Sequence, residues 1–342
     1  MAAENNITIE DVAHAARVSV STVSRILNNK PDVSRATRQR VQKVIDSLGY
    51  MPHSAAQSLA GGKSRTIALL FPPSYTSFTQ LELDFFVGAA AAATEHNFFF
   101  NLMTGDVTPA TLLGLYRGGQ VDGVILMQIQ MQDWRVELLR ANKLPFVMIG
   151  RCEDNLQLPF IDLNFETAVQ MAYDYLYGLG HRHIGLIARP AFMRESNLGP
   201  AIRTLTGLDK ACQRLQVQPL YRETMPTIQD AHDATWSMLT EAPRLTAIVT
   251  VNGASAVGII RALEGAGRTV PDDFSVMAVA GSKIAQLITP PLSSLDFPTD
   301  SIGSRAATML IKRLQHEAAP IEQELLSPQL IVRQSTHPPP LR

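Results

Sequence analysis

Val18-Ser19-Val20-Ser21-Thr22-Val23-Ser24-Arg25-Ile26-Leu27-Asn28 is the stretch that decides how this 342-residue chain begins. Val23, Ile26 and Leu27 recur at helical spacing and make one apolar stripe, which leaves Val20, Ser21, Ser24 and Arg25 on the other side. Upstream, Ile9, Val12, Ala13 and Ala16 make a second stripe; downstream, Val41, Val44, Ile45 and Leu48 make a third. Each run opens on a hydroxyl residue able to accept a first-turn amide: Thr8 with Asp11 three residues on, Ser19 with Thr22, Ser34 with Thr37. The link at Arg17-Val18-Ser19 is very short. Three short helices sharing a small core, the second standing out after a tight turn, is a helix-turn-helix, whose second helix meets base edges with its first turn. Arg25 can present two donors to a guanine edge and Ser21 can bond several bases.

Charge divides the chain in the same place. Residues 1–63 carry eight Lys or Arg against five Asp or Glu, whereas the whole chain has a net charge of −1. A basic head on an acidic body suits attraction to phosphates.

These residues resemble the headpiece of the lactose-repressor/galactose-repressor (LacI/GalR) family of bacterial transcription regulators. The family's V-S-x-x-T-V-S-R stretch followed by x-x-N, its V-S-x-x-T-R and its G-Y-x-P are met by Val18 to Asn28, Val33 to Arg38 and Gly49 to Pro52. The resemblance implies phosphate contacts from Thr8, Ser19, Thr22, Ser24, Asn28, Ser34 and Thr37, all with hydroxyl or amide groups, and base reading by Val20, Ser21 and Arg25. It also implies that Pro52 to Lys63, weakly helical and stopped by Gly61-Gly62, is a hinge helix that folds on the operator. Ala56 and Leu59 would then enter the minor groove, with Leu59 as the wedge. Without the preceding helices the same segment reads as a plain tether.

From Arg65 onward, apolar runs of strand length alternate with helical stretches, the mark of βαβ units. The runs Thr66 to Phe71, Phe98 to Met103, Gly123 to Met127, Phe146 to Gly150, Ile184 to Ala188, Ala247 to Val251 and Phe274 to Ala280 are of the doubly buried kind. About 280 residues of this pattern exceed one sheet core and imply two α/β lobes. The resemblance extends over about residues 7–337 and makes the body periplasmic-binding-protein-like, with mostly parallel sheets. The expected division is a head at 1–52, a hinge at 53–63, a body at 64–337 and a tail at 338–342. Within the body, 64–163 with 292–325 form the N-lobe, and 164–290 with 326–337 the C-lobe. Chain crossings are expected near 163, 291 and 326.

Ligands of such sheets sit beyond the carboxyl ends of the strands. Candidate effector contacts are therefore Ser74, Tyr75 and Phe78 after the first strand, Gln128 after the third, Phe165 past the crossing, Arg203 and Asn252. Asn252 matches a family ligand position; Arg203 stands four residues before Gly207 where the family arginine stands three before its glycine. The family's Gly-Phe-Asp-Asp is replaced around Ala280, so an expected carboxylate is missing, and Phe297 takes the place of a family glutamine. Ser282 or Asp296 could compensate. A modified or glycosidic sugar, or a less hydroxylated metabolite, is thus expected over a free hexose.

Other features read as structure. His181 and His183 lie at i, i+2 and lack further ligands, so no metal is expected. Gly253 to Gly258 has one residue too many for a hydrolase elbow, and Ser255 reads as helix start or cleft lining. Cys152 and Cys212 form no framework, and the Ala89 to Ala93 run is far too short for a membrane span. No cofactor and no catalytic residue is expected. No signal-like segment precedes the head, which points to a bacterial cytoplasm. Two readings follow: a regulator, most simply a homodimer on a near-palindromic operator with a small-molecule effector such as a sugar, or a solute-binding protein or enzyme on the same body, for which the head is unexplained. A regulator sensing a nucleoside or purine-type corepressor stays open, as do the operator, the controlled genes, and the choice between inducer and corepressor and between repression and activation.

Overall fold

A computed structural model describes residues 7–27, 32–50, 64–72, 79–279, 282–316 and 319–340. The chain divides into two compact units, residues 1–65 with 115–122, and the remainder. Within the first unit, Asp122 accepts from the backbone N–H of Ser64 (2.7 Å) and of Arg65 (2.8 Å).

In the first unit, α1 (Ile9–Ala16), α2 (Val20–Leu27) and α3 (Arg35–Leu48) surround a core of Val12, Ala13, Ala16, Val23, Ile26, Val41, Ile45 and Tyr50. Thr8 begins α1 through a reciprocal cap: its backbone N–H donates to Asp11 Oδ2 at 2.7 Å, and Asp11 N–H donates back to Thr8 Oγ1 at 3.3 Å. Arg17 ends α1 in the left-handed region (φ 54°), which turns the chain sharply into α2. Ser34 caps α3 by accepting from Thr37 N–H at 3.2 Å. Gly49 closes α3 at φ +64°, where a side chain would be strained.

The second unit carries two six-stranded sheets. The first is built from β1 (Thr66–Leu70), α4 (Gln80–Glu95), β2 (Phe99–Met103), α5 (Pro109–Arg117), β3 (Gly123–Leu126), α6 (Trp134–Ala141), β4 (Phe146–Ile149) and β5 (Phe160–Leu163). The chain then passes through α7 (Phe165–Gly178) into β6 (Ile184–Ala188), α8 (Ala191–Glu195), α9 (Gly199–Leu215), β7 (Leu220–Glu223), α10 (Ile228–Glu241), β8 (Ala247–Thr250), α11 (Gly253–Gly265), β9 (Ser275–Val279), α12 (Ser282–Leu287) and β10 (Ser293–Asp296). A single 3₁₀ turn (Thr299–Ser301) leads to α13 (Ile302–Gln315), β11 (Gln323–Leu326) and β12 (Gln329–Ile331). Strand orders are β11-β5-β4-β3-β1-β2 and β12-β10-β9-β8-β6-β7, every pairing parallel except β12 with β10.

Two expectations are corrected. β10 pairs with β9, so the middle crossing follows Asp296 instead of lying near 291. Its sequence, Ser-Ser-Leu-Asp, hid it, yet all four residues are buried because the hydroxyls are bonded: Ser293 Oγ lies 2.7 Å from Thr336 Oγ1. β2, expected to be doubly buried, is the edge of its sheet, with Phe99 64% and Leu102 40% exposed.

Both lobes rely on close helix crossings. Gly303 of α13 lies against the backbone of Phe85 and Ala89 on α4, and Gly258 of α11 lies against Ile228 and His232 on α10. In the second lobe, α7 and α9 cover one sheet face through Ala172, Tyr173, Leu208 and Ala211, and α10 with α11 cover the other through Met238, Ile259 and Leu263.

Candidate nucleic-acid interface and ligand cleft

The first turn of α2 is built to be read from outside. Burying Val23 and Ile26 turns Val20, Ser21 and Arg25 outward, and Val20 is 42% exposed although apolar. Such a side chain suits a thymine methyl, beside a hydroxyl and a guanidinium. Ser19 Oγ lies 2.8 Å from both Ser21 Oγ and Thr22 Oγ1. Arg25 rests 3.6 Å from Asp32, an exposed pair worth little that a base edge could displace. Ser34 and Thr37 hydroxyls meet at 2.9 Å at the start of α3. Arg38 donates to Ile26 O at 3.3 Å and so ties α3 to the end of α2. Thr8, Ser19 and Ser34 thus serve as caps as well as candidate phosphate contacts, and Ser24 is half-buried on α2. Asn28, Ala56 and Leu59, with the rest of the hinge, lie outside the described residues.

In the body, a cavity opens where the strands of the first sheet end and β6 of the second ends. Its walls are mostly apolar, from Leu81, Phe85, Met127, Ile149, Phe165, Met193 and Ile302 among others, with Glu82, Gln128, Asp162 and Arg189 as the polar groups. Phe165 packs edge-on to Phe297 at 5.6 Å, and the Arg189 guanidinium lies 4.6 Å over the Phe165 ring. Arg189 Nε and Gln128 Oε1 are buried with no hydrogen-bond partner among the described residues. Burial pushes the Glu82 carboxyl above its ordinary value, against the Thr79 N–H that donates to it at 2.7 Å. Asp162 is also raised by burial although Arg203 and Arg151 oppose it, Arg151 at 3.1 Å.

The sequence candidates fare unequally. Gln128 and Phe165 line this cavity. Arg203, Asn252 and Asp296 are not among the lining residues and have partners of their own. Arg203 donates to Cys152 O at 2.8 Å, Asn252 caps α11 by accepting from Ala254 N–H at 2.9 Å, and Asp296 faces Arg333 at 3.3 Å. Ser74, Tyr75, Phe78, Ala280 and the side chain of Ser282 lie outside the described residues. Sequence reasoning missed Glu82, Asp162 and Arg189. Arg189 directly follows an anticipated strand, where the strand-end rule looks, and Glu82 is the fourth member of a legible Thr79-x-x-Glu82 cap.

Besides the Arg203 bond to Cys152 O, further hydrogen bonds among the described residues fasten the two lobes beside the cavity. Met131 N–H donates to Asn197 O at 2.8 Å, Gly199 N–H to Ile129 O at 2.8 Å, and Gln130 Nε2 to Ser196 O at 2.9 Å. Elsewhere His181 spends both ring nitrogens, on Thr246 Oγ1 at 2.8 Å and on His337 O at 2.9 Å. Burial pushes the thiols of Cys152 and Cys212 up to about 11. No helix of the described residues is long and apolar enough to cross a membrane.

Residues 8–53 match the family described as bacterial regulatory proteins, lacI family, and residues 173–336 match the periplasmic binding protein-like domain. The HTH-type transcriptional regulator AglR of Rhizobium meliloti (strain 1021) is 31% identical over 98% of this chain and 96% of its own length. The lac repressor dimer bound to operator and the anti-inducer ONPF superposes with a TM-score of 0.83 at 25% identity, covering 97% of this chain and all of that one. The transcriptional regulator CelR in complex with cellobiose gives a TM-score of 0.69 at 27% identity, covering 96% of this chain and 99% of that one.

Proposed function

The chain belongs to the LacI family of bacterial regulatory proteins, and from that premise we propose that its head reads an operator under the control of a small molecule in the body's cleft. It is a DNA-binding transcriptional regulator, a repressor in its family's common mode, and not an enzyme. A solute-binding protein on the same body would leave the head without a use. The observation that carries the reading is the first turn of α2, which keeps Val20, Ser21 and Arg25 clear of the core while Ser19, Thr22, Ser34 and Thr37 stand ready for phosphates. Ser24 and Asn28 join them on the resemblance alone, as do the hinge at 53–63 with Ala56 and Leu59.

The effector site is the cavity with Glu82, Gln128, Asp162, Phe165 and Arg189 on its walls. Its mostly apolar lining supports a sugar derivative or glycoside over a free hexose, and leaves Arg203, Asn252, Ser282 and Asp296, with Ser74, Tyr75 and Phe78, as outlying candidates. An effector acts through its different affinity for the DNA-competent and incompetent states of the body. The protein works as a homodimer in the cytoplasm, bound to the nucleoid when it represses. Support comes from exposed apolar side chains at the edges of the sheets: β2 ends one sheet with Phe99 and Leu102 exposed, β7 ends the other with Tyr221 exposed, and Met225 and, on α10, Ile228 and Trp236 are exposed as well. The division into head at 1–52, hinge, body at 64–337 and tail at 338–342 stands as part of this proposal, with the middle crossing moved past Asp296.

Selection of DNA from a random library by the purified full chain, with and without a sugar panel, tests it. A two-fold-symmetric sequence should be enriched and its recovery should change with at least one sugar. Enrichment of nothing beyond A·T-rich duplex would refute sequence reading by α2.

A further inference from the structure

An arginine at a DNA surface has two kinds of partner. A guanine edge offers N7 and O6 to two parallel donors and carries sequence information; a phosphate oxygen accepts the same donors and carries none. Arg25 stands in the last turn of α2 with its side chain 58% exposed, on a long stem whose rotamer freedom is lost when it binds anything. What lies beside that side chain therefore decides how well it discriminates.

An acid lies there. Asp32 Oδ2 is 3.6 Å from Arg25 Nη1, and the Asp32 side chain is 53% exposed. Because the carboxylate approaches Nη1, the Nε–Nη2 edge of the guanidinium is left as a complete two-donor fork for a base. Asp32 is itself held in place. Val33, the next residue, packs against the core of the head, and Ser34 after it starts α3 by accepting from Thr37 N–H at 3.2 Å. Arg38 of α3 donates to Ile26 O at 3.3 Å, which fixes the start of α3 against the end of α2 that carries Arg25. The segment that follows, Arg35 to Lys43, has four basic residues and no acid, as a surface for phosphates requires. A carboxylate at its entrance works against affinity for duplex of any sequence. An exposed ion pair also adds little to stability, so this one has its use in direction.

We infer that Asp32 is a positioning residue for base reading: its carboxylate holds Nη1 of Arg25, aims the Nε–Nη2 edge at guanine and turns the side chain away from phosphates. The inference rests on the proposed reading of bases by α2 and names the residue that makes that reading selective.

Asp32→Asn, which keeps the shape and removes the charge, tests it in the full chain. Fluorescence anisotropy is read on the operator recovered from the random library, on that operator with its guanines changed one at a time to adenine, and on random duplex. Operator binding should weaken about fivefold, the scale of an exposed ion pair. Random duplex should bind about twofold tighter as a negative charge leaves the surface. The penalty at the guanine to which Arg25→Ala is blind should shrink in Asp32→Asn. With Arg25→Ala already in place, Asp32→Asn should no longer weaken the operator complex. Unchanged operator binding, or equal tightening on operator and random duplex, would show a carboxylate that only repels phosphates and overturns the inference. A loss on the operator that persists without Arg25 overturns it as well. Arg25→Ala weakening operator and random duplex alike would instead remove the base reading itself, and the inference with it.

Discussion

Replacing Gly303 by alanine is the sharpest test of how the first lobe is packed. A Cβ there would meet the carbonyl carbon of Phe85 at 2.7 Å and the amide nitrogen of Ala89 at 2.9 Å, with the Phe85 oxygen nearer still. Carbon atoms rest about 3.5 to 4.0 Å apart, so α13 and α4 must separate by roughly 1 Å. The obstacles are backbone atoms, which cannot rotate aside. Overpacking of this kind costs about 1 to 3 kcal/mol, and the upper end applies. Against it stands the helix preference for alanine over glycine, about 1 kcal/mol. The net is a loss of about 2 kcal/mol. Gly114 in α5 gives the control, since a Cβ there meets nothing within 4 Å. The same substitution should stabilise at Gly114 by up to about 1 kcal/mol, so the two variants should differ by about 3 kcal/mol. Urea unfolding followed by fluorescence and circular dichroism measures the difference. Equal midpoints for the two variants would refute the argument. Ile302, next to Gly303, lines the cavity, so the Gly303 variant should also bind effector more weakly.

In the head, Arg25→Ala should cost about 1 to 3 kcal/mol on the selected operator and little on random duplex, whereas Thr22→Ala should weaken both alike; fluorescence anisotropy on the two DNAs separates base reading from phosphate positioning. Burial raises the folded pKa of Glu82, so the folded protein holds that proton more tightly than the unfolded chain, and this favourable contribution is full below the unfolded value near 4.5 and lost as pH rises through the raised one. Glu82→Gln should therefore flatten the fall in body stability over that window, and an unchanged pH profile in thermal unfolding would contradict it. Trp236, 45% exposed on α10, should matter to association: Trp236→Asp should shift sedimentation toward monomer and weaken operator binding at low protein concentration.

The head was legible almost residue by residue because its determinants are local. Thr8 with Asp11 and Ser34 with Thr37 are caps three residues apart, and the apolar stripes point at one another over short distances. Only Tyr50 was overlooked as core, since it follows the last helix. In the body, strands with continuous apolar runs were visible, and β5, β7, β10, β11 and β12 were not. β7, β11 and β12 are sheet edges with half-polar sequences, and β10 is buried by partners such as Thr336 and Arg333 that lie about forty residues away. The cleft shows the same limit. Gln128 and Phe165 could be found at strand ends, but whether Arg203 or Asn252 faces a ligand depends on Cys152 O and the start of α11, which spacing does not reveal.

The crossings between lobes bear on how the chain is made. The first sheet is complete only when β11 joins β5 and α13 settles on α4; the second needs β12, and then Ser335 and His337, whose bonds to Val276 and Ser275 run at 2.6 and 3.0 Å. The head core, by contrast, lies wholly within residues 7–50. At about 5 to 20 residues per second, a ribosome spends roughly 15 to 60 s between the end of that core and His337. For that interval a nascent chain presents a finished DNA-contacting surface attached to two unfinished sheets. A message cut short anywhere in the interval would yield a folded head on an unfinished body, so the late position of both closing strands makes control by a ligand, and not the fold of the head, depend on translation nearly to the end.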